Sequence, residues 1–245
     1  MNRLLRPIIR WIATTRLLTI PRYLFGEILI YSIAHKNGMI LYYNEPERAK
    51  VLKIIRNIKD ETEMLLSDNE AYQIYMAVQN TQKIPGDIAE VGTYKGGSAK
   101  LICKVKGNKS LHLFDTFEGL PSPSTSIDDL KQFKEGRLLA SYEKVKNYLK
   151  DYAYVYFYKG IFPYTAEPIH DKRFSFVHLD ADLYLSTLDS LKFFYPRLNK
   201  GGIIISHDYI NSPGVRKAFD EFFVDKKEPI IEMSGIQCLI VKVED

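Results

Sequence analysis

The sequence predicts an α/β fold built on a doubly wound, mostly parallel seven-stranded sheet that closes with a C-terminal antiparallel hairpin. Two observations predict this fold. From residue 88 onward, short apolar runs typical of buried strands alternate with stretches of helical periodicity. The last two apolar runs, residues 230–231 and 238–241, are separated by Gly235 and have no helical pattern between them, which favours a hairpin.

The predicted strands are short apolar segments bounded by turn residues. The first follows the turn Pro85-Gly86-Asp87, and the fifth follows Gly201-Gly202. The seven strands are predicted at residues 88–91, 111–114, 154–158, 174–179, 203–205, 230–231 and 238–241.

Apolar residues at helical spacing predict the helices between these strands. The last helix has the clearest start, because Ser212 suits the N-cap and Pro213 suits the first turn. Helices are predicted at residues 64–80, 99–103, 128–152, 186–196 and 213–223.

Length and composition fit one globular catalytic unit. The chain has 245 residues, of which 46% are hydrophobic and 26% charged, so collagen-like, disulfide-rich and wholly disordered proteins are excluded. Cys103 and Cys238 lie far apart and match no metal-binding spacing. They are expected to be buried, reduced thiols, which favours a cytoplasmic protein.

The positive charge is confined to the N-terminal segment. Residues 1–40 contain six basic groups and one acid, whereas the rest of the chain contains 28 basic and 29 acidic residues. A basic nucleic-acid-binding protein is therefore disfavoured. We predict a basic amphipathic arm at residues 1–45 and a catalytic domain at residues 46–245.

The predicted arm has two alternative roles. Arginine alternates there with short apolar groups around Trp11, and no uncharged stretch is long enough for a transmembrane helix. Such a segment suits peripheral contact with an anionic membrane surface. The alternative, which we favour, is a helical arm packed on the main domain or on a second subunit of a homodimer.

A glycine-rich turn follows the first predicted strand, in the run Glu90-Val91-Gly92-Thr93-Tyr94-Lys95-Gly96-Gly97-Ser98. Glycine at a strand-to-helix turn permits tight backbone geometry and close approach of a ligand. The spacing Gly-x-x-x-Gly-Gly differs from the dinucleotide-binding pattern Gly-x-Gly-x-x-Gly and from the phosphate-binding P-loop. Because an acid lies two positions before the first glycine, the turn suits a cationic ligand better than a pyrophosphate.

Asp115 ends the second predicted strand, 23 residues after Gly92. A carboxylate at about this separation holds the ribose hydroxyls in nucleotide-binding sheets. The alternative role is a turn cap, since Asp often begins such loops. Together, the glycine turn and Asp115 favour a cofactor that contains adenosine.

Polar groups also follow the fourth and fifth predicted strands. Asp180 and Asp182 follow the fourth, and His207 and Asp208 follow the fifth. Carboxylates at adjacent strand ends repel one another unless a cation or a proton relieves the repulsion. Helix capping and a hydrogen-bonded core histidine are the alternatives for single residues, but four such groups together favour a divalent metal site.

These residues lie in ordered blocks at 85–92, 114–121, 179–184, 195–202 and 208–209. In this order, the blocks resemble the macrocin O-methyltransferase family, whose members are metal-dependent enzymes that use S-adenosylmethionine to methylate sugar hydroxyls of antibiotics. The resemblance extends from about Met64 to the C-terminus, and the N-terminal arm lies outside it.

The resemblance implies a class I methyltransferase fold, which is Rossmann-like, and S-adenosylmethionine as the cofactor. The glycine turn would hold the methionine part of the cofactor, and Asp115 would hold the ribose. The implied cofactor-binding residues are Glu90, Gly92, Thr93, Tyr94, Gly96, Gly97, Ser98, Asp115, Thr116 and Phe117.

The resemblance also implies a metal site and a general base. In the family, the acid that matches Asp180 and two consecutive acids after the fifth strand hold magnesium, and Asp182 matches the proposed base. Here the first of the consecutive acids is replaced by His207. Imidazole favours softer ions such as manganese. The expected ligands are Asp180, His207 and Asp208, with magnesium expected from the family and manganese or another ion from the histidine. The alternatives are a metal bound through Asp180 and Asp208 alone, or no metal.

The predicted function is therefore metal-assisted O-methylation of a hydroxyl on a sugar or glycoside. The acceptor is expected to be a small molecule or a glycan, with no nucleic acid as partner. The first alternative is a nicotinamide-dependent oxidoreductase, which the glycine spacing and the terminal hairpin disfavour. The second is a non-catalytic accessory protein that retains the cofactor fold, which the retention of Asp180, Asp182 and Asp208 disfavours.

Overall fold

The computed structural model describes residues 45–123, 127–128 and 133–244. The predicted arm lies, except for Glu45, outside the described residues. No helix in the described part of the chain is long and apolar enough to cross a membrane.

Six α-helices and seven strands form the described structure. The helices are α1 (Pro46–Glu61), α2 (Asp68–Asn80), α3 (Gly97–Cys103), α4 (Tyr142–Tyr148), α5 (Tyr184–Phe194) and α6 (Pro213–Phe223). The strands are β1 (Asp87–Val91), β2 (Leu111–Asp115), β3 (Val155–Lys159), β4 (Phe174–Leu179), β5 (Leu198–Ser206), β6 (Ile231–Glu232) and β7 (Cys238–Val241). Short 3₁₀ turns cover Thr81–Lys83, Glu167–Ile169 and Tyr195–Arg197.

The strands form one mixed sheet in the order β3-β2-β1-β4-β5-β7-β6. The five strands from β3 to β5 pair in parallel, and β7 is antiparallel to both of its neighbours. The predicted fold class is therefore confirmed, including the C-terminal hairpin. Strand order reverses between β1 and β4, and ligands of such sheets bind at this switch point, beyond the carboxyl ends of the strands.

Helices cover both faces of the sheet. On one face α1, α2, α3 and α4 pack over a buried cluster that includes Ile55, Ile74 and Ile102. On the other face α5 and α6 pack over a second cluster that includes Phe194 and Phe219. Because both faces are buried, the central strands are mostly apolar, which explains why they can be recognised in the sequence.

The predicted helix at residues 128–152 is too long. Among the described residues of this range only Tyr142–Tyr148 form an α-helix, and the side chain of Asp128 accepts a hydrogen bond from the backbone N–H of Tyr184. The chain around Gly136 folds back on the loop after β2, where Gly136 donates to the carbonyl of Leu120. These bonds hold the segment beside the carboxyl end of β2 as a loop, which apolar periodicity alone did not predict.

Two other boundaries differ from the prediction by more than two residues. Helix α2 begins at Asp68, not at residue 64, because the Ser67 hydroxyl and the Glu70 carboxylate form a reciprocal capping box. Strand β5 begins at Leu198 and includes Gly201, whose backbone N–H donates to the carbonyl of Lys242. Gly201 therefore continues the pairing with the C-terminal hairpin and does not end a turn.

Candidate active site

A pocket opens at the carboxyl ends of β1, β2, β4 and β5. It combines an apolar wall with several ionisable groups. The predicted site residues that line it are Gly92, Thr93, Tyr94, Gly97, Ser98, Asp115, Thr116, Asp180, Asp182, His207 and Asp208. The structure thus brings most of the predicted residues into a single cavity.

Gly92 fixes the approach of β1 to β4. Its backbone φ is +91°, and a Cβ atom there would lie 1.9 Å from the carbonyl oxygen of Asp180. The backbone N–H of Asp180 donates to the carbonyl of Val91 at 2.8 Å. Only a residue without a side chain fits between the two strand ends, so Gly92 places Asp180 beside the glycine turn.

Three predicted cofactor-binding residues do not line the pocket. Glu90 is fully buried behind the turn, where its carboxylate lies 2.9 Å from Nδ1 of His178. Gly96 has a φ of +79° at the start of α3 and faces Val145 of α4. Phe117 is buried and packs edge-to-face on Tyr142, also of α4. Glu90, Gly96 and Phe117 therefore support the loops from behind instead of contacting the pocket.

Burial is the largest influence on the pKa of Glu90. Its pKa is raised by burial, and the hydrogen bonds from His178 and Ser98 offset this shift only in part. Glu90 and His178 are both fully excluded from solvent. The pair connects β1 to β4 beneath the glycine turn, and the side chain of Ser98 hydrogen-bonds to Glu90.

Asp115 joins the glycine turn to the loop after β2. Its carboxylate accepts hydrogen bonds from the backbone N–H groups of Tyr94 at 2.7 Å and of Phe117 at 2.6 Å. Burial raises the pKa of Asp115, and these backbone donors oppose the shift. The side chain therefore caps its own loop, as the alternative reading of the sequence suggested, and it also lies on the pocket wall.

His207 lies at the centre of an acidic cluster. Its Nδ1 is 2.8 Å from Oδ2 of Asp208 and 3.3 Å from Oδ1 of Asp180. Its Nε2 is 3.8 Å from Oε2 of Glu70, at the start of α2. One ligand atom from each of Asp180, His207 and Asp208 lies within 4.8 Å of the others, a spacing that suits a metal ion.

The charges of this cluster shift its pKa values strongly. Burial acts to lower the pKa of His207, but the carboxylates of Asp180, Asp208 and Glu70 outweigh it and raise the pKa far above its usual range. Burial acts to raise the pKa of Asp180, yet the charge and hydrogen bond of His207 leave it below the ordinary value. The raised pKa of His207 favours its protonated form, whose charge offsets the repulsion between the acids.

Asp182 differs from Asp180 because the charge of His207 offsets only part of the upward shift in its pKa. Burial raises its pKa well above the ordinary value, and the charges of Asp180 and Asp208 raise it further. Its backbone is left-handed, with a φ of +60°, and its carbonyl accepts a hydrogen bond from the Ser212 hydroxyl. An acid with a raised pKa in a pocket is a stronger proton acceptor than an exposed one, which suits a general base.

Several pocket residues were not predicted from the sequence. The loop between α1 and α2 contributes Glu63 and Met64, and the loop after β2 contributes Leu120 and Arg137. Glu70 reaches the cluster from α2, although its sequence context indicates only a helix start. These residues come from connections that fold over the sheet edge, so spacing along the strands carries no signal for them.

A profile of the macrocin O-methyltransferase family matches residues 69–238, which is more than two thirds of the 245 residues. The chain belongs to the macrocin O-methyltransferase family. The matched region contains every predicted cofactor, metal and base residue. The expectation from the sequence motifs is therefore confirmed at the level of the family.

Two curated methyltransferases are similar to this chain in sequence. A tetracenomycin-modifying enzyme of Streptomyces olivaceus, 8-demethyl-8-(2,3-dimethoxy-alpha-L-rhamnosyl)-tetracenomycin-C 4'-O-methyltransferase, is 32% identical over 140 residues, which cover 51% of this chain and 54% of that protein. Mycinamicin III 3''-O-methyltransferase of Micromonospora griseorubida is 30% identical over 155 residues, covering 57% of this chain and 61% of that one. The chain thus spans less than two thirds of the length of these relatives.

Solved structures show the same fold. The O-methyltransferase NovP superposes with a TM-score of 0.71 at 21% identity, covering 81% of this chain and 98% of that one. A calicheamicin methyltransferase superposes with a TM-score of 0.62 at 16% identity, covering 82% and 94% of the two chains. This chain, with its mixed sheet and antiparallel hairpin, therefore has the class I O-methyltransferase fold.

The contact between Gly92 and Asp180 is directly testable. We predict that Gly92→Ala lowers the free energy of unfolding by about 3 kcal/mol or more, because the new Cβ combines positive-φ strain with a clash against a backbone oxygen. Urea denaturation would measure the change. The matched control is Gly107→Ala, also at positive φ (+59°) but with its nearest contact a side-chain atom at 3.4 Å. It should cost about 1 kcal/mol, and equal losses in both variants would contradict the role of the contact.

Proposed function

We propose that this chain transfers a methyl group from S-adenosylmethionine to a sugar hydroxyl, assisted by a divalent metal ion. The observation that carries this proposal is the convergence of Asp180, Asp182, His207 and Asp208 on one pocket wall. Membership of the family supports methyl transfer over the nicotinamide-dependent alternative. The clustered acids support catalysis over a non-catalytic accessory role.

The pocket residues fit S-adenosylmethionine. Thr93 is buried on the pocket wall, and its hydroxyl oxygen has no hydrogen-bond partner, so a bound ligand would satisfy it. The Asp115 carboxylate accepts two backbone bonds and retains lone pairs for ribose hydroxyls. The close-packed turn at Gly92 and Gly97 would hold the methionine part, with acids nearby to attract its positive charge.

The cluster also fits a divalent metal. Asp180 and Asp208 offer hard oxygen ligands and His207 offers a nitrogen, and one ligand atom of each lies within 4.8 Å of the others. This mixed set suits manganese or a similar ion better than magnesium. When bound, the ion would lower the pKa of a sugar hydroxyl beside it and orient that hydroxyl.

The reaction requires alignment and removal of one proton. The turn and Asp115 would hold the cofactor, which when bound would supply an activated sulfonium methyl for transfer to the acceptor oxygen, with S-adenosylhomocysteine as the leaving group. Asp182 would accept the proton that the acceptor hydroxyl loses. The apolar pocket wall formed by Leu120, Phe133 and Ile161 limits access of water.

The names of the relatives guide the choice of acceptor. The Streptomyces olivaceus relative is named for O-methylation of a rhamnosyl-tetracenomycin, and we extend a glycoside acceptor to this chain as part of the proposal. Contact of residues 1–45 with a membrane surface or with a second subunit stays a prediction, as does the cytoplasmic location.

Methyl transfer is tested by a product assay. We expect the protein, with S-adenosylmethionine and Mn²⁺, to add one methyl group to a rhamnosylated aromatic acceptor, detected by mass spectrometry. Calorimetry should show binding of S-adenosylhomocysteine and none of NAD. Binding of NAD without binding of S-adenosylhomocysteine would overturn the proposal in favour of a nicotinamide enzyme.

The role of Asp182 predicts a specific kinetic defect. Asp182→Asn should lower kcat by about 10²- to 10⁴-fold, because the amide cannot accept the hydroxyl proton. The affinity for S-adenosylhomocysteine should not change. The matched control is Asp189→Asn, which alters an acid on the partly exposed side of α5 and should keep full activity. A large fall in cofactor affinity in Asp182→Asn would show that this residue acts in binding.

Metal dependence follows from the donor set. We expect dialysis against a chelator to abolish turnover and added Mn²⁺ to restore it more fully than Mg²⁺. His207→Asp should reverse this preference towards Mg²⁺, because a third carboxylate replaces the imidazole. Initial rates across a series of metal concentrations would measure the change. Full activity after chelation would exclude the metal from the mechanism.

A further inference from the structure

The two ring nitrogens of His207 face different carboxylates. Nδ1 faces Asp180 and Asp208, at 3.3 and 2.8 Å, while Nε2 faces the carboxylate of Glu70 at 3.8 Å. An imidazole that coordinates a metal through one nitrogen must have its proton on the other. A carboxylate at that second nitrogen fixes both the tautomer and the ring orientation.

Glu70 is held firmly in place from two sides. One carboxylate oxygen accepts the backbone N–H of Ser67 at 2.7 Å, and the other accepts the backbone N–H of Ile236 at 3.0 Å. The residue is only 5% exposed. Gly235 approaches so closely that a Cβ atom there would lie 2.4 Å from Oε1 of Glu70. The start of α2 and the β6–β7 hairpin together fix the carboxylate.

Helix capping does not account for this arrangement. A capping box asks of the Glu70 side chain only that its carboxylate accept the backbone N–H of Ser67. It does not require burial beneath the hairpin, the bond from Ile236, or the direction of the carboxylate towards His207. These additional contacts all bring the negative charge of Glu70 to the Nε2 side of the imidazole.

The negative charge of Glu70 is also complementary to a histidine at position 207. With His207 present, the carboxylate of Glu70 faces a hydrogen-bond donor. If an acid stood at position 207, Glu70 would place a like charge beside it inside a buried site, which is unfavourable. Glu70 and His207 therefore form a complementary pair.

From this geometry we propose that Glu70 is a positioning residue, which holds the Nε2 proton of His207 and directs Nδ1 to a divalent ion shared with Asp180 and Asp208. The inference rests on the metal site of the proposed function. It extends that site to a carboxylate–histidine–metal arrangement, in which Glu70 touches neither the metal nor the substrate.

The test compares two variants of the same helix start. Glu70→Gln should weaken Mn²⁺ binding to the full-length protein by about 10-fold or more, measured by calorimetry without cofactor or acceptor. Ser67→Ala removes the other half of the capping box but does not contact His207, so its Mn²⁺ affinity should match that of the unaltered protein. Equal losses in both variants would reduce Glu70 to a helix cap and overturn the proposal.

A second background separates positioning from general damage. In His207→Asp, the change Glu70→Gln should leave Mn²⁺ affinity unchanged or increase it, because it removes a like charge and no imidazole remains to be oriented. The same loss in both backgrounds would contradict the proposal.

A spectroscopic measurement tests the unaltered protein, so the proposal does not depend on the folding of any variant. With ¹⁵N-labelled histidine and Zn²⁺, NMR should show the proton of His207 on Nε2 and the metal on Nδ1, with His207→Asp assigning the signal. Coordination through Nε2 would overturn the proposal. Absence of binding by both Mn²⁺ and Zn²⁺ would overturn it together with the metal part of the proposed function, whereas methyl transfer itself would be judged by the product assay.

Discussion

Repulsion between buried carboxylates is the constraint on which the site depends. Glu70, Asp180 and Asp208 all approach the ring of His207, and like charges at such distances are stable in a protein interior only with a compensating cation. The imidazole supplies that cation, and a divalent ion would supply more charge. Asp182 lies beside the same cluster, where its side chain hydrogen-bonds to Asp208 and makes no hydrogen bond to His207. Its pKa therefore shifts in the opposite direction from that of Asp180.

The polar residues at the strand ends of this site are predictable from sequence because each directly follows a recognisable buried strand. Parallel strands buried on both faces are continuous apolar runs, and polar residues directly after them must lie at one edge of the sheet. This rule placed Asp115, Asp180 and His207 together although they are distant in the chain. It also anticipated the tight turn at Gly92, where a glycine is required by the carbonyl of Asp180.

Other parts of the site follow no local rule. Residues 128–141 have the apolar spacing of a helix. Yet the backbone N–H of Gly136 donates to the carbonyl of Leu120, and that of Leu120 donates to the carbonyl of Arg137, so these bonds hold this part of the segment as a loop beside the pocket. Glu90 has the sequence position of a ligand contact, but burial and His178 place it behind the turn. Such outcomes depend on tertiary contacts, because each segment forms its best hydrogen bonds only once its distant partner is present.

The C-terminal hairpin has a consequence for how the site is assembled. The bond from Ile236 to Glu70 joins residues 166 positions apart, so the carboxylate is fixed only after almost the whole described chain has been brought together. Closing so long a loop costs chain entropy before any contact is gained. A folding intermediate that lacks the hairpin would have the sheet edge and its acids in place but would leave Glu70 without its second anchor. Completion of the site thus depends on the pairing of the β6–β7 hairpin with the sheet. A chain that lacks this pairing would bind a metal poorly even where its ligand residues are already adjacent.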